Sequence, residues 1–176
     1  MLNLPNLLSL GRILTIPVFI ILLLNQLQGW ALFIFIVAAL SDAADGLLAR
    51  LLKQRTELGA YLDPAADKLL NASSYITLAI MNLLPSWLAV IVVSRDAIIC
   101  LGLIILFWTS HPVEIRPSWI SKFTTAFQLC TIPAALIWGA SAPASFLLNF
   151  LIWATALGTI ISGIQYIGRG IKIINK

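Results

Sequence analysis

Residues 42–67 read DAADGLLARLLKQRTELGAYLDPAAD, and this stretch decides what kind of protein the chain is. Its four aspartates are Asp42, Asp45, Asp63 and Asp67, set in a chain that is 60% hydrophobic and 10% charged. An ionisable group inside apolar sequence is costly, and it is normally kept only with a partner or a function. Because no matching set of bases accompanies these acids, the pattern indicates a divalent metal ion as their partner.

The rest of the chain is apolar enough for an integral membrane protein. Its 176 residues have a mean hydropathy of +0.99, and a membrane-spanning helix needs roughly 20 mainly apolar residues. The apolar runs predict an all-α protein of six transmembrane helices after a short N-terminal interfacial segment, in one domain over residues 1–176. We expect Cys100 and Cys130, inside two of the spans, to be buried thiols without a redox role. The predicted spans are 6–25, 29–52, 61–82, 86–108, 118–139 and 144–168.

Charge placement predicts the orientation of these spans. The connections at about 25–28, 82–86 and 141–143 carry no charge. Arginines and lysines lie at the opposite ends, so the positive-inside rule places both termini and the acidic site on the cytoplasmic side. The net charge of +4 suits anionic lipid, and no basic surface interleaved with aromatic residues indicates nucleic-acid binding. The basic residues are Arg12, Arg50, Lys53, Arg55, Arg116, Lys122, Arg169, Lys172 and Lys176.

The two acid pairs fall on consecutive antiparallel spans. Spacings of three and four residues put each pair on one helix face, and the topology predicts the same depth for both pairs. An all-oxygen ligand set suits Mg²⁺, Mn²⁺ or Ca²⁺ and not zinc, and four carboxylates favour two ions, as on phosphate substrates. Pro64 fits the first turn of the third span, where its missing N–H costs little. The alternative is a solvated cluster paired with Arg50, Lys53, Arg55 and Lys68.

The fixed spacing of eight residues resembles the signature of a known family. From Asp42 to Asp67 the chain reads D-x2-D-G-x2-A-R-x8-G-x3-D-x3-D, which is similar to the signature of the CDP-alcohol phosphatidyltransferases. The resemblance extends over nearly the whole chain and implies a six-helix membrane bundle that forms a homodimer. The positions that carry it are Asp42, Asp45, Gly46, Ala49, Arg50, Gly59, Asp63 and Asp67.

The resemblance also implies roles for these residues. All four aspartates would hold two divalent cations, Mg²⁺ or Mn²⁺. Asp67 would in addition be the general base that deprotonates an acceptor hydroxyl, which attacks the phosphorus linked to diacylglycerol and releases CMP. The residues that would bind the CDP part of CDP-diacylglycerol are Asp42, Gly46, Ala49, Arg50 and Gly59.

The acceptor alcohol must be recognised by the second half of the chain. Arg95 and Asp96 interrupt the fourth span, and Lys122 and Gln128 lie in the fifth. We expect them to form a polar wall facing the aspartates, with Arg95 and Lys122 offered to phosphate oxygens. Two alternatives stay open: a structural pair between Arg95 and Asp96, and a lysine that only extends to the membrane surface.

Two subfamilies resemble this second half. SRD at 94–96, RPSWISKFTTAFQL at 116–129 and QYIGRGIK at 165–172 are similar to CDP-diacylglycerol-dependent cardiolipin synthases. NLPNLLSLGR at 3–12 is shared with phosphatidylglycerophosphate synthases. Glycerol 3-phosphate brings a near-dianionic phosphate that wants two or three cations, whereas phosphatidylglycerol brings one phosphodiester charge. The cation-poor fourth span therefore favours phosphatidylglycerol as acceptor.

A different class of function is a small ion transporter with an acidic site inside the membrane. That class predicts inverted repeats, broken helices and a site at the membrane midplane. The sequence shows none of these, and its acids lie toward one side of the membrane. Since no targeting presequence is evident, we expect a bacterial inner membrane as the location.

Overall fold

The computed structural model describes residues 4–52, 57–108, 119–139 and 146–174, with side chains over 11–41, 66–102, 119–139 and 146–168. Across these ranges the fold is entirely helical, with six α-helices and no strand, as the sequence predicts. The helices are α1 (Leu4–Leu24), α2 (Gln28–Leu52), α3 (Glu57–Ile80), α4 (Ser86–Trp108), α5 (Trp119–Trp138) and α6 (Phe146–Ile174).

Two helix starts differ from the sequence prediction. The residues expected to form a separate interfacial segment are helical from Leu4 onward and continuous with α1. Helix α3 begins at Glu57, so Pro64 lies in its third turn and the prediction of a first-turn proline is wrong. The predicted start was set by the apolar run that begins at Tyr61. The preceding residues Glu57, Leu58 and Ala60 are good helix formers. Helix α3 therefore begins four residues before that run.

The helices group into two compact units, Met1–Leu83 and Leu84–Lys176. In the first unit α1 packs against both α2 and α3, and in the second α6 packs against both α4 and α5. The core of the first unit contains Phe19 and Phe35, whose ring centroids are 5.9 Å apart. The single domain over 1–176 stays a prediction beside this division.

A left-handed residue ends α1 and allows the tight turn into α2. Gln26 has φ 60°, and the Leu27 amide donates to the Leu22 carbonyl at 2.9 Å, while the Gln26 amide donates to Leu23 at 2.8 Å. These two bonds form a Schellman motif, which satisfies carbonyls that the helix end leaves unpaired. The short turn makes α1 and α2 antiparallel, so residues equally distant from it lie side by side.

The described surface is largely apolar, while many polar side chains are buried. Helix α5 and the stretch Phe146–Gly168 of α6 are each long and apolar enough to cross a membrane. Large apolar residues are exposed on every helix, including Phe146 at 87% and Trp119 at 76%. Cys100 and Cys130 are also exposed, so the prediction that they are buried is wrong. Apolar sequence around a residue of this chain therefore does not by itself predict that the residue is buried.

Candidate functional site

The backbone places the two acid pairs at matching positions on α2 and α3. Asp42 lies ten residues before Leu52, where α2 ends, and Asp67 lies ten residues after Glu57, where α3 begins. Each is thus about 15 Å along its helix from the α2–α3 connection, at 1.5 Å per residue. Asp45 and Asp63 are closer to that connection, seven and six residues from the respective helix ends. The matching depth of the two pairs stays a prediction.

Asp67 is the member of this set whose side chain the structure describes. It is half-buried on α3 and follows Ala66, which is completely buried. In the described part of the chain, no three histidine, cysteine or acidic residues form a metal-binding group. The other signature side chains lie outside that part, namely those of Asp42, Asp45, Ala49, Arg50 and Asp63, as do Gly46 and Gly59, which the structure describes as helix backbone only.

The face of α3 beyond Asp67 is polar and buried. Asn71 and Ser74, four and seven residues further on, are 4% and 0% exposed, and the Ser74 hydroxyl donates to the Leu70 carbonyl at 2.7 Å. In the same unit Arg12 of α1 is 5% exposed, although its sequence position suggested a basic flank at the membrane surface. The sequence analysis missed Asn71, which its spacing of four from Asp67 could have identified.

The second unit contains a buried polar cluster around Arg95. Its Nη1 donates to Asp96 Oδ1 at 2.6 Å, and its Nη2 donates to Ser121 Oγ at 2.7 Å and to Ser162 Oγ at 2.9 Å. Arg95 and Asp96 are 4% and 6% exposed. The guanidinium of α4 is therefore held by a carboxylate on its own helix and by one hydroxyl each from α5 and α6.

Helix α6 also contacts the rest of the Arg95 side chain. The guanidinium carbon lies 5.8 Å from the Tyr166 ring centroid, within cation–π range. A Cβ added at Gly163 would lie 3.7 Å from Arg95 Cγ, so the α6 backbone passes close to the arginine stem. Within the described residues Arg95 Nε is buried without a hydrogen-bond partner.

A polar seam joins α5 to α6. Gln128 is completely buried, and its Nε2 donates to Thr159 Oγ1 at 3.1 Å, while the hydroxyls of Thr131 and Thr155 are 2.9 Å apart. The later residue of α5, Thr131, contacts the earlier residue of α6, Thr155, so the two helices are antiparallel. Buried hydrogen bonds of this kind join helices that lie in lipid.

The four predicted acceptor residues therefore differ in their surroundings. Arg95 and Asp96 are paired with each other, and Gln128 belongs to the α5–α6 seam. Lys122 is exposed, with its Nζ 5.0 Å from the Trp119 ring centroid. The sequence analysis missed Ser121, Ser162 and Tyr166. No local signal marks Ser121 on α5. Ser162 belongs to a run of small or hydroxyl residues on α6 that are spaced three and four apart, and this run does not distinguish it from its neighbours Thr155, Gly158, Thr159 and Gly163.

Comparison with known proteins gives consistent matches. The family model described as CDP-alcohol phosphatidyltransferase matches residues 2–161, which span both units. A cardiolipin synthase (CMP-forming) of Streptomyces coelicolor is 34% identical over 167 residues, covering 89% of this chain and 77% of that protein.

Two other relatives are named for a different activity. A probable phosphatidylglycerophosphate synthase of Mycobacterium tuberculosis is 33% identical over 181 residues, covering 98% of this chain and 83% of that protein. A CDP-diacylglycerol–glycerol-3-phosphate 3-phosphatidyltransferase of Bacillus subtilis is 30% identical over 189 residues, covering 96% and 95%. These names agree on the type of transfer and differ in the acceptor.

Proposed function

The chain belongs to the CDP-alcohol phosphatidyltransferase family, and we propose that it transfers a phosphatidyl group from CDP-diacylglycerol to phosphatidylglycerol, forming cardiolipin and CMP. The type of reaction follows from the family, and membership makes an ion transporter untenable. The observation that supports the choice of acceptor is the buried, already neutralised Arg95–Asp96 pair.

The donor half of the reaction is assigned to the signature on α2 and α3. Asp42, Asp45, Asp63 and Asp67 would hold two divalent cations, Mg²⁺ or Mn²⁺, because two carboxylate pairs at matching helix positions fit hard, oxygen-preferring ions. When bound, these ions would neutralise the diphosphate and stabilise the charge on departing CMP. The CDP group would be bound by Asp42, Gly46, Ala49, Arg50 and Gly59.

Asp67 is proposed as the general base. The acceptor hydroxyl gives its proton to the Asp67 carboxylate, its oxygen forms a bond to the phosphorus that carries diacylglycerol, and the bond from that phosphorus to CMP breaks. The half-buried position of Asp67 supports this role, since the residue is not fully enclosed by the core. We expect Asp67→Asn to lower kcat at least a hundredfold, the lower end for loss of a general base. Unchanged turnover with intact metal binding would contradict the assignment.

The acceptor half is assigned to the Arg95 cluster. Among the described side chains of the second unit the cations are Arg95 and Lys122, and Arg95 is already bonded to Asp96. One phosphodiester oxygen can accept a hydrogen bond from the Nε–H, which has no partner among the described residues, whereas a near-dianionic phosphate would need more positive charge. Lys122 and Gln128 stay predicted members of the acceptor site.

Glycerol 3-phosphate is the second candidate acceptor. Relatives named for that activity align with 98% and 96% of this chain. Alignment length reflects the shared bundle, while the acceptor depends on a few side chains. We therefore give more weight to the cation-poor Arg95 cluster.

We further propose that all six helices span the membrane. Their lengths of 20 to 29 residues correspond to about 30 Å or more, and the exposed apolar faces support contact with lipid. A bacterial inner membrane, termini and active site on the cytoplasmic side, and a homodimer complete the proposal.

One assay tests the proposed function. Purified protein receives CDP-diacylglycerol with phosphatidylglycerol or glycerol 3-phosphate in parallel reactions, and CMP and the lipid product are identified by mass. Cardiolipin from phosphatidylglycerol is the expected result. Product from glycerol 3-phosphate alone would overturn the choice of acceptor, and absence of CMP with every acceptor would overturn the activity.

A further inference from the structure

A groove of about 420 Å³ lies between α1 and α2 in the first unit, within the size range of ligand sites. Its two ends differ in polarity. Arg12 is twelve residues before the end of α1, and Ser41 is thirteen residues after the start of α2, so in this antiparallel pair they line the same end. Val18 and Phe33 line the opposite, apolar end.

The lining of the groove suits a hydrocarbon chain. Val18, Phe33 and Val37 are 46%, 59% and 45% exposed, so they present apolar surface on the open side. The Thr15 hydroxyl is bonded to the Gly11 carbonyl of its own helix at 2.8 Å. Water would find few partners along such a wall, and an unfilled groove would forfeit dispersion contacts. In the proposed membrane topology, an acyl chain is the group whose shape and polarity match this space.

The groove is continuous with the family signature, and this continuity identifies the lipid whose acyl chain would occupy it. Ser41 directly precedes Asp42, and Asp45 lies four residues after Ser41, so the groove face of α2 continues into the signature within one turn. The buried guanidinium of Arg12 gives the same end positive charge. An anionic diphosphate at the signature would thus have its diacylglycerol part at the polar end of the groove.

We propose that the α1–α2 groove holds one acyl chain of the donor, CDP-diacylglycerol, with Arg12 and Ser41 at the glycerol-phosphate end and Val18 and Phe33 along the chain. This inference rests on the proposed function, because it takes the signature as the site of the donor headgroup. Because lipid tails are as apolar as the side chains that line the groove, the fit of the acyl chain depends on shape and not on polarity.

Two neighbouring residues of α2 allow a matched test. Val37 lines the groove and is 45% exposed, whereas Ile36 is 42% exposed and is not part of the lining. Both variants place a tryptophan on the same helix, but only Val37→Trp fills the groove. Initial rates of CMP release are measured with a long-chain and a six-carbon CDP-diacylglycerol at saturating acceptor.

Val37→Trp is expected to raise the KM for the long-chain donor about fivefold or more, in line with the lower cost of overpacking. The KM for the short-chain donor should rise less, and the acceptor KM should not change. Ile36→Trp is expected to match the wild type. Equal donor KM values for the two variants would overturn the proposal.

A photocrosslinking measurement gives a second readout that does not depend on variant folding or on turnover. CDP-diacylglycerol with a diazirine at the end of one acyl chain is irradiated with the wild-type protein, and labelled peptides are mapped. Label within residues 11–18 or 33–41, removed by excess unlabelled CDP-diacylglycerol, supports the proposal. Label there that only phosphatidylglycerol removes would mean that bulk lipid fills the groove, and label confined to other helices would also overturn it. Groove labelling without CMP release would instead count against the proposed function.

Discussion

Replacing both charges of the buried Arg95–Asp96 pair, as R95M/D96L, separates a structural role of the pair from acceptor binding. The two side chains are bonded at 2.6 Å and are 4% and 7% exposed. Replacing a buried ion pair by apolar residues of similar volume is often neutral or stabilising, whereas removing one partner costs about 3–5 kcal/mol. The double variant should therefore keep wild-type stability, and D96L alone should lose most of that amount.

The activity of the double variant, unlike its stability, should fall. A hydrogen bond to a charged group is worth about 1.5–3 kcal/mol, so losing the Arg95 guanidinium should lower kcat/KM for phosphatidylglycerol about 10- to 100-fold. The KM for CDP-diacylglycerol should stay within about twofold, because the signature on α2 and α3 is unchanged. Steady-state CMP release at varied acceptor and fixed donor measures the first effect, and the converse series measures the second.

A control variant tests whether loss of a buried polar contact alone changes acceptor use. T131V/T155V removes the 2.9 Å contact in the α5–α6 seam and leaves Arg95 intact. It should cost about 0.6 kcal/mol, a typical value for a hydrogen bond between membrane helices, with no change in acceptor KM. If R95M/D96L kept wild-type kcat/KM for phosphatidylglycerol, Arg95 would be a structural residue and the acceptor assignment would be wrong.

Three further predictions concern the turn, the seam and the metal. Gln26→Gly should stabilise the protein by about 0.5–1 kcal/mol in an SDS-unfolding titration, because glycine adopts the left-handed conformation of φ 60° without strain. Asn82→Gly should stabilise it less, since asparagine tolerates that region. Equal stabilisation by the two substitutions would contradict this reasoning. Gly158→Ala should destabilise by about 1–3 kcal/mol, because its new Cβ would lie 3.0 Å from Thr124 Oγ1, while Gly168→Ala, with nothing within 4 Å, should not destabilise the protein. Chelation by EDTA should abolish CMP release and added Mg²⁺ or Mn²⁺ should restore it; full activity after exhaustive chelation would contradict metal dependence.

The helices were predictable because each depends on a local property of the sequence. A run of about 20 apolar residues forms a helix wherever lipid surrounds it, so the bounds of α4 coincide with the prediction. The start of α3 was not predictable from hydropathy. Its first turn, from Glu57 to Ala60, is helical through propensity and not through apolar character.

The polar contacts were less predictable because their partners come from distant parts of the chain. Ser121 and Ser162 are 26 and 67 residues from Arg95, and nothing in their local sequence distinguishes them from other hydroxyl residues of α5 and α6. The burial of Arg12 was equally unpredictable, because an arginine near a helix start is interpreted as a surface charge when only the sequence is known. Sequence reasoning therefore found residues of unusual chemistry and missed those that hold them in place.

The structural and binding interpretations of Arg95 are compatible on physical grounds. A guanidinium alone in an apolar bundle would be very costly to bury, and Asp96 with the two serine hydroxyls reduces that cost before any lipid arrives. The same contacts fix the orientation of the planar group, since three of its five N–H donors are used. The buried Nε–H then remains as a donor of defined direction. A structural pair that leaves two of the five N–H donors unused, one of them the Nε–H, is thus compatible with the proposed role of Arg95 in presenting a single positive group to a phosphodiester.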